Sequence, residues 1–115
     1  MQPRPPYTFV SVFKPPNLTV STRACSLVLS GVTVIAAAGN DNRAACASSP
    51  AAARFAITVA ATDQQDERLL LRGGGGSNYG ACVDLYAPGA EVPGASHLGD
   101  QLGTFRSGTS QVCHH

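Results

Sequence analysis

A run of seven apolar and β-branched residues, Val-Thr-Val-Ile-Ala-Ala-Ala at positions 32–38, constrains the fold of this chain more than any other segment. Continuous runs of this kind are typical of strands in parallel sheets, which are covered on both faces. A Gly-Asn-Asp-Asn cluster follows at residues 39–42, and these turn-forming residues end the predicted strand. The segment therefore predicts a buried strand whose carboxyl end opens into a polar turn.

The remaining elements complete an α/β pattern. A short helix is predicted from about residue 21, capped by Ser21 or Thr22 and stopped at Gly31. The side chains expected on its apolar face are Ala24, Cys25, Val28 and Leu29. Further strands are predicted at residues 55–60, 82–86 and 92–96, and residues 101–106 lead to a final helix. Strands that alternate with helices predict an α/β fold with a mostly parallel sheet.

Composition limits the function classes. The chain has 115 residues, which suits one domain, and it carries a net charge of +1 with 13% charged residues. Such a balance provides no basic surface for nucleic acid, and no apolar run approaches the roughly 20 residues of a membrane span. The first six residues, Met-Gln-Pro-Arg-Pro-Pro, lack the apolar core of a signal peptide. Residues 1–20 are rich in proline and are expected to be separate from a domain at 21–115, although residues 7–13 can form an extended segment.

A run of glycines and a glycosylation sequon are only weak indicators of function. Four consecutive glycines at 73–76 are not followed by Gly-Lys-Ser/Thr, so they predict a flexible loop rather than a phosphate-binding loop. Asn17-Leu18-Thr19 fits a glycosylation sequon, a pattern that is frequent by chance.

The four cysteines have no CxxC spacing, which argues against zinc and leaves disulfides or buried thiols.

The strongest chemical signal is Ser-Gly-Thr-Ser-Gln at residues 107–111, which places the hydroxyl of Ser110 where a loop turns into a helix. Acyl transfer needs such a hydroxyl together with donors that face the developing oxyanion. Asn40, after a buried strand, can supply an amide donor. The simpler alternatives are a helix cap at Ser110 and a turn residue at Asn40.

Three segments in order carry a family resemblance: Ala-Ala-Ala-Gly-Asn at 36–40, Asn-Tyr-Gly at 78–80 continuing into Cys-Val-Asp-Leu-Tyr-Ala-Pro-Gly at 82–89, and Ser-Gly-Thr-Ser at 107–110. Together they resemble the second half of a subtilisin-like serine protease of the proteinase K type. Gln111, with the positions of Cys25, Cys46 and Cys82, is similar to the proprotein convertase subtilisin/kexin group, one member of which binds the LDL receptor.

This resemblance implies a three-layer fold with a mostly parallel sheet, truncated at both ends. It implies that Ser110 is the nucleophile of a serine endopeptidase and Asn40 its oxyanion donor, acting on a protein or peptide substrate. The wall of the specificity pocket would be formed by Ala37, Ala38 and Gly39. Members of the family are secreted or enter the secretory pathway.

The resemblance also implies stabilising features, although the chemistry itself requires no cofactor. The residue matching Asp84 binds calcium in proteinase K-like members, and the backbone carbonyls of Ala53, Ala56 and Thr58 would complete the site. A solvated carboxylate at the strand end is the alternative. Cys46 and Cys82 are expected to form a disulfide, and Cys25 is expected to be a buried thiol.

The Asp-x-Gly and His-Gly-Thr-His motifs that carry the other triad residues in this family do not occur in the sequence. Its three histidines, His97, His114 and His115, match no general base. The chain by itself is therefore expected to be a nearly inert fragment of a protease. An alternative function is a non-catalytic module that binds a lipoprotein receptor, and a third hypothesis is that the apolar strand faces remain open and prevent stable folding.

Overall fold

The protein is represented by a computed structural model that describes residues 20–99 and 103–113. The extended segment predicted at residues 7–13, the sequon at Asn17, and the histidines His114 and His115 lie outside the described residues. None of the helices in the described part of the chain has the length and apolar character that a bilayer crossing requires.

In the part of the chain that the structure describes, two helices and five strands follow each other in an α/β order, with a single turn of 3₁₀ helix between the first two strands. Strands β1, β2 and β3 form a parallel sheet with β2 in the centre, whereas β4 and β5 form an antiparallel hairpin. This architecture confirms the predicted fold class. The bounds are α1 Val20–Leu29, β1 Ile35–Ala37, the 3₁₀ turn Ala45–Ala47, β2 Ile57–Thr62, β3 Leu85–Pro88, β4 Val92–Ala95, β5 Gly103–Arg106 and α2 Thr109–Val112.

Helix α1 ends at the predicted glycine. Gly31 has a φ of +86°, the left-handed conformation that glycine adopts without a steric penalty. The Gly31 N–H donates to Val28 O at 2.9 Å, and the Val32 N–H donates to Leu27 O at 3.0 Å. This pair of bonds is the Schellman motif, which satisfies carbonyls that a helix end leaves unpaired.

The apolar face of α1 differs from the predicted one. Leu29 is 79% exposed, and Cys25 is half-buried rather than fully buried. The helix instead packs through Ala24, with Leu27 and Val28 beside it. A helix of this length turns only a narrow stripe toward its sheet, and Leu29 lies outside that stripe.

The strands are shorter or displaced relative to the sequence prediction. The run at residues 32–38 contributes only three residues to β1, and Ile35 is 41% exposed. β1 is an edge strand of the described sheet. The expectation that this run is buried on both faces was wrong, because Val34, Ala36 and Ala38 are buried whereas the opposite face, which carries Ile35, is partly open. Strand β2 begins two residues later than predicted, and β3 begins at Leu85 and includes Pro88. Proline is tolerated there because β3 is also an edge strand.

The two helices cover opposite faces of the parallel sheet. Ala36 pairs with Thr58, and Ala36 packs with Ala24 of α1. Ala37 pairs with Val59, and Val59 packs with Val112 of α2. Because successive side chains of a strand point to opposite faces, α1 and α2 lie on different sides of the sheet. This arrangement agrees with the predicted three layers.

Part of the face that carries α2 is open. Ile35, Ile57 and Leu85 are 41%, 39% and 45% exposed, and their strand positions place them on the same face as Val59. Helix α2 has four residues and packs against Val59 and Ala61 near the carboxyl ends of the strands. The open apolar face that the sequence suggested is therefore confined to the amino-terminal part of these strands.

The four glycines at 73–76 differ in exposure and hydrogen bonding. Gly73 and Gly74 are exposed and have positive φ values. Gly76 is buried, and a Cβ at this position would lie 2.9 Å from Leu69 O. Its N–H donates to Asn40 O at 3.0 Å, and its carbonyl accepts from Asn42 N at 2.9 Å. The expectation of a flexible loop was therefore wrong for Gly76, which is hydrogen-bonded to the turn after β1.

The predicted disulfide between Cys46 and Cys82 is present. It joins the segment after β1 to the segment before β3 across a sequence separation of 36 residues. Cys25 and Cys113 are free. Strands β1 and β3 each pair with β2 and not with each other. The disulfide therefore provides a covalent link between the segments that follow β1 and precede β3.

Replacement of both Cys46 and Cys82 by serine should lower the free energy of unfolding by about 4 kcal/mol, because an unfolded chain without this closed loop gains conformational entropy. Urea denaturation followed by circular dichroism measures the difference. The matched control is Cys25→Ser, which changes a free thiol and should have a much smaller effect. Equal urea midpoints for the double variant and the unaltered chain would contradict this account of the disulfide.

Candidate active site

The predicted site residues meet at the carboxyl edge of the parallel sheet. Strand β1 ends at Ala37, and the chain reaches Asn40 three residues later. Helix α2 begins at Thr109, so that Ser110 is its second residue. In open α/β sheets, this edge is where ligands bind. The fold therefore brings together two residues that are 70 positions apart in the sequence.

Two hydrogen bonds determine the orientation of the Asn40 amide. Its Oδ1 accepts from the backbone N–H of Thr109 at 3.0 Å and from the Thr109 hydroxyl at 3.2 Å. Since a backbone N–H can only donate, the atom facing it must be the amide oxygen. The Nδ2 group consequently remains as a donor, and within the described residues it has no hydrogen-bond partner.

The free Nδ2 group lies against the loop that carries the serine. A Cβ at Gly108 would come within 3.3 Å of Asn40 Nδ2, so only glycine leaves this space open. Gly108 has a φ of +145°, and its N–H donates to Gly89 O at 2.8 Å. This bond fixes the approach of the chain to Ser110.

Thr109 is the functional neighbour that the sequence prediction missed. It is fully buried although it is polar. Its hydroxyl accepts from the Gly39 N–H at 3.2 Å and donates to Asn40 Oδ1. Thr109 thus joins the turn after β1 to the start of α2. The signal was its position inside the Ser-Gly-Thr-Ser run, but a sequence does not reveal that this hydroxyl points inward.

Ser110 is exposed in the first turn of α2. The first N–H groups of a helix have no partner within the helix, so the Ser110 N–H is available to a ligand. Its hydroxyl has no hydrogen-bond partner among the described residues. Ser110 therefore presents both a hydroxyl and a backbone donor at the surface.

Cys113 lies one turn after the serine. Burial raises the pKa of the Cys113 thiol, and its Sγ donates to Thr109 O at 3.5 Å. Only the thiolate is strongly nucleophilic, and the raised pKa keeps this group protonated at neutral pH. Ser110 is therefore the nucleophile candidate on α2, and Cys113 belongs to the packing of the helix.

The residues predicted to line a specificity pocket differ in exposure. Ala37 and Gly39 are half-buried, whereas Ala38 is fully buried and packs with Ala45 and Ala60. Ala38 therefore offers no exposed surface to a ligand, and its N–H and carbonyl are bonded to Val59 O and Asn78 Nδ2. Their role in substrate binding stays a prediction.

No general base contacts Ser110 within residues 20–99 and 103–113. His97, the one histidine among these residues, is exposed in the turn after β4. The expectation that His97 does not act as the base stays a prediction.

Asp84 is exposed, and its carboxylate also accepts a backbone hydrogen bond. Its Oδ2 accepts from Thr58 N at 2.7 Å, and its own N–H donates to Thr58 O at 2.9 Å. Ala53, Ala56, Thr58 and Asp84 all line one surface cavity of about 150 Å³. The four residues predicted to bind calcium are thus brought together, although Arg54 lines the same cavity.

The fold and the site define an α/β protein in which an exposed serine and an asparagine amide share the carboxyl edge of a parallel sheet. The chain matches the subtilase family over residues 14–115, and it belongs to this family.

Two known proteins are similar to parts of this chain. The alkaline extracellular protease of Yarrowia lipolytica (strain CLIB 122 / E 150) is 49% identical over 39 residues, which are 34% of this chain and 9% of that protein. The crystal structure of a cold adapted subtilisin-like serine proteinase matches with a TM-score of 0.68 and 33% identity, over 83% of this chain and 32% of that one. The chain thus spans no more than about a third of either protein.

Proposed function

We propose that this chain forms part of a secreted serine endopeptidase of the subtilase family, in which Ser110 is the nucleophile and Asn40 an oxyanion donor. The observation that carries the proposal is the orientation of the Asn40 amide. Thr109 binds its oxygen, and the Nδ2 donor is left free beside the loop of Ser110. A turn residue or a helix cap requires no such arrangement.

In the proposed reaction, Ser110 Oγ attacks the carbonyl carbon of a peptide bond and its proton passes to a general base. The carbonyl oxygen becomes an oxyanion that accepts hydrogen bonds from Ser110 N–H and Asn40 Nδ2. The base then protonates the leaving amine, and water releases the acyl group from the serine. Donors that are fixed before the reaction lower the barrier because they need no reorganisation when the charge develops.

The chain by itself should have almost no activity. The sequence contains neither the Asp-x-Gly nor the His-Gly-Thr-His motif, and no base contacts Ser110 in the described residues. Loss of the serine or histidine of a subtilase triad lowers turnover by about 10⁶, or roughly 8 kcal/mol. The nucleophile and oxyanion donors therefore need an aspartate and a histidine from other sequence in order to act.

Two observations support a secretory location. The Cys46–Cys82 disulfide is typical of proteins that fold in an oxidising compartment. A related protein is named an extracellular protease. The proposed substrate is a peptide or protein. Binding to a lipoprotein receptor stays a prediction from the sequence resemblance, because no contact among the described residues bears on it.

The activity can be tested in a chimera that joins residues 20–115 to the amino-terminal part of the cold adapted proteinase, which would supply aspartate and histidine. The chimera should react with a fluorophosphonate, whereas the 115-residue chain alone should react negligibly. Ser110→Ala should abolish labelling of the chimera. Asn40→Leu should lower kcat by about 10² to 10³, since one oxyanion donor is lost.

Asn42→Gly is the control, because Asn42 lies in the same turn with a φ of +54°, which glycine adopts freely, and its side chain binds Arg68 and Gly74 instead of Thr109. This variant should retain most of the activity. Equal losses for Asn40→Leu and Asn42→Gly, or labelling that survives Ser110→Ala, would refute the proposed roles.

Calcium binding by Asp84 is a second part of the proposal. One oxygen of the carboxylate already accepts from Thr58 N, so the other oxygen and the carbonyls of Ala53, Ala56 and Thr58 would hold the ion. A single carboxylate beside Arg54 makes a weak site, which suits a structural ion at millimolar concentration. The ion would hold the segment that leads into β2 against Asp84, the residue before β3.

Millimolar calcium should therefore raise the thermal midpoint of the chain by a few degrees, and Asp84→Asn should remove this increase. Magnesium serves as the control ion because it dehydrates reluctantly and prefers a smaller octahedral site. If magnesium and calcium act equally, or if the increase persists in Asp84→Asn, calcium does not bind at this cavity.

A further inference from the structure

We propose that Asn78 is the positioning residue of the oxyanion donor, since its buried side chain fixes the turn that presents Asn40. The inference rests on the function proposed above for Asn40 and adds a residue to which the sequence motifs assign no role. Asn78 is fully buried and is the largest fully buried side chain among the described residues. A polar group in such a place is retained only when its hydrogen bonds are satisfied.

All four hydrogen-bonding positions of the Asn78 amide are used. Its Nδ2 donates to Ala38 O at 2.9 Å and to Ser48 Oγ at 3.1 Å. Its Oδ1 accepts from Asp41 N and from Arg43 N, each at 3.1 Å. An asparagine amide offers two donors and two acceptor lone pairs, so this side chain is saturated.

The partners of Asn78 lie on both sides of Asn40 in the chain. Ala38 precedes it by two residues and Asp41 follows it directly, so the Nδ2 and Oδ1 atoms of one side-chain amide bind the two ends of the same turn. The backbone adds a further contact, because Asn78 N donates to Gly39 O at 2.8 Å. The direction of the Asn40 side chain is therefore set by Asn78 from inside and by Thr109 from the other side.

Gly39 shows how closely the two segments approach. A Cβ at this position would lie 2.5 Å from Asn78 Nδ2, and the φ of +102° is unfavourable for any other residue. The amide of Asn78 thus occupies the space that a side chain at residue 39 would need.

Ser77 provides a contrast that separates positioning from general stability. It is also fully buried, but its Oγ accepts from Ala61 N at 2.9 Å, in β2, and donates to Asn78 O at 3.0 Å. Its side chain makes no bond to residues 38–43. A change at Ser77 should therefore loosen β2 locally without releasing Asn40.

The test is amide hydrogen exchange in the 115-residue chain, measured by NMR for the Thr109 and Ala61 N–H groups. The Thr109 N–H reports on Asn40 because Asn40 Oδ1 is its acceptor. Asn78→Asp keeps the size but removes both donors, and it should speed exchange at Thr109 at least tenfold more than at Ala61. Ser77→Ala should give the reverse pattern. If Asn78 only stabilised the fold, Asn78→Asp would speed exchange of the Thr109 and Ala61 N–H groups equally.

Gly39→Ala decides the question if Asn78→Asp does not fold. Its methyl group would displace the Asn78 amide, and it should speed exchange at Thr109 as Asn78→Asp does. Gly74→Ala is the control, because Gly74 has a φ of +87° but no atom within 4 Å of a Cβ. Parallel changes at Thr109 and Ala61 in these variants would overturn the proposal.

An unprotected Thr109 N–H in the unaltered chain would also overturn it. Because exchange requires no catalysis, these results do not depend on whether Ser110 is a nucleophile. Failure of the chimera with the expected exchange pattern would refute the proposed function alone. An active chimera with parallel exchange changes at Thr109 and Ala61 would refute the positioning role alone.

Discussion

The hydrogen bond from the Thr109 N–H to Asn40 Oδ1 determines the orientation of the amide on which the proposed active site depends. It joins the turn after β1 to the first residue of α2, and it decides which end of the Asn40 amide is free. A neutral hydrogen bond contributes about 1 kcal/mol to stability. Its main consequence here is orientation, because a reversed amide would place an acceptor where an oxyanion requires a donor.

The rest of the fold explains why this contact can form. Parallel pairing of β1, β2 and β3 places their carboxyl ends at one edge, and α2 packs on the same sheet through Val112. Asn78 fixes the turn from the interior, and the disulfide of Cys46 with Cys82 joins the segments on which both asparagines lie. A loop that must hold a donor in place is thus restrained by covalent, backbone and side-chain contacts.

The sequence predicted the fold class, since strand patterns and turn residues are local signals. The disulfide and the joint site of Asn40 and Ser110 were predicted from the resemblance of the ordered motifs to a known family. The sequence did not predict the exposure of Ile35, because that exposure depends on what packs over the face of the strand and not on the composition of the strand. The inward direction of Thr109 and the saturation of Asn78 were missed for a similar reason. Both involve bonds between residues far apart in the sequence, and neither residue type alone distinguishes a surface turn from a buried anchor.

The most direct measurement is the scalar coupling that NMR detects across a hydrogen bond, recorded between the Thr109 amide nitrogen and the side-chain carbonyl carbon of Asn40. A correlation between these two atoms is the predicted result. The bond from Ala38 N to Val59 O, at 2.9 Å, provides an internal reference in the same spectrum. If the reference correlation is present and Thr109 shows none, or couples to a different carbonyl, the orientation of Asn40 described here is wrong and the proposed oxyanion donor is lost with it.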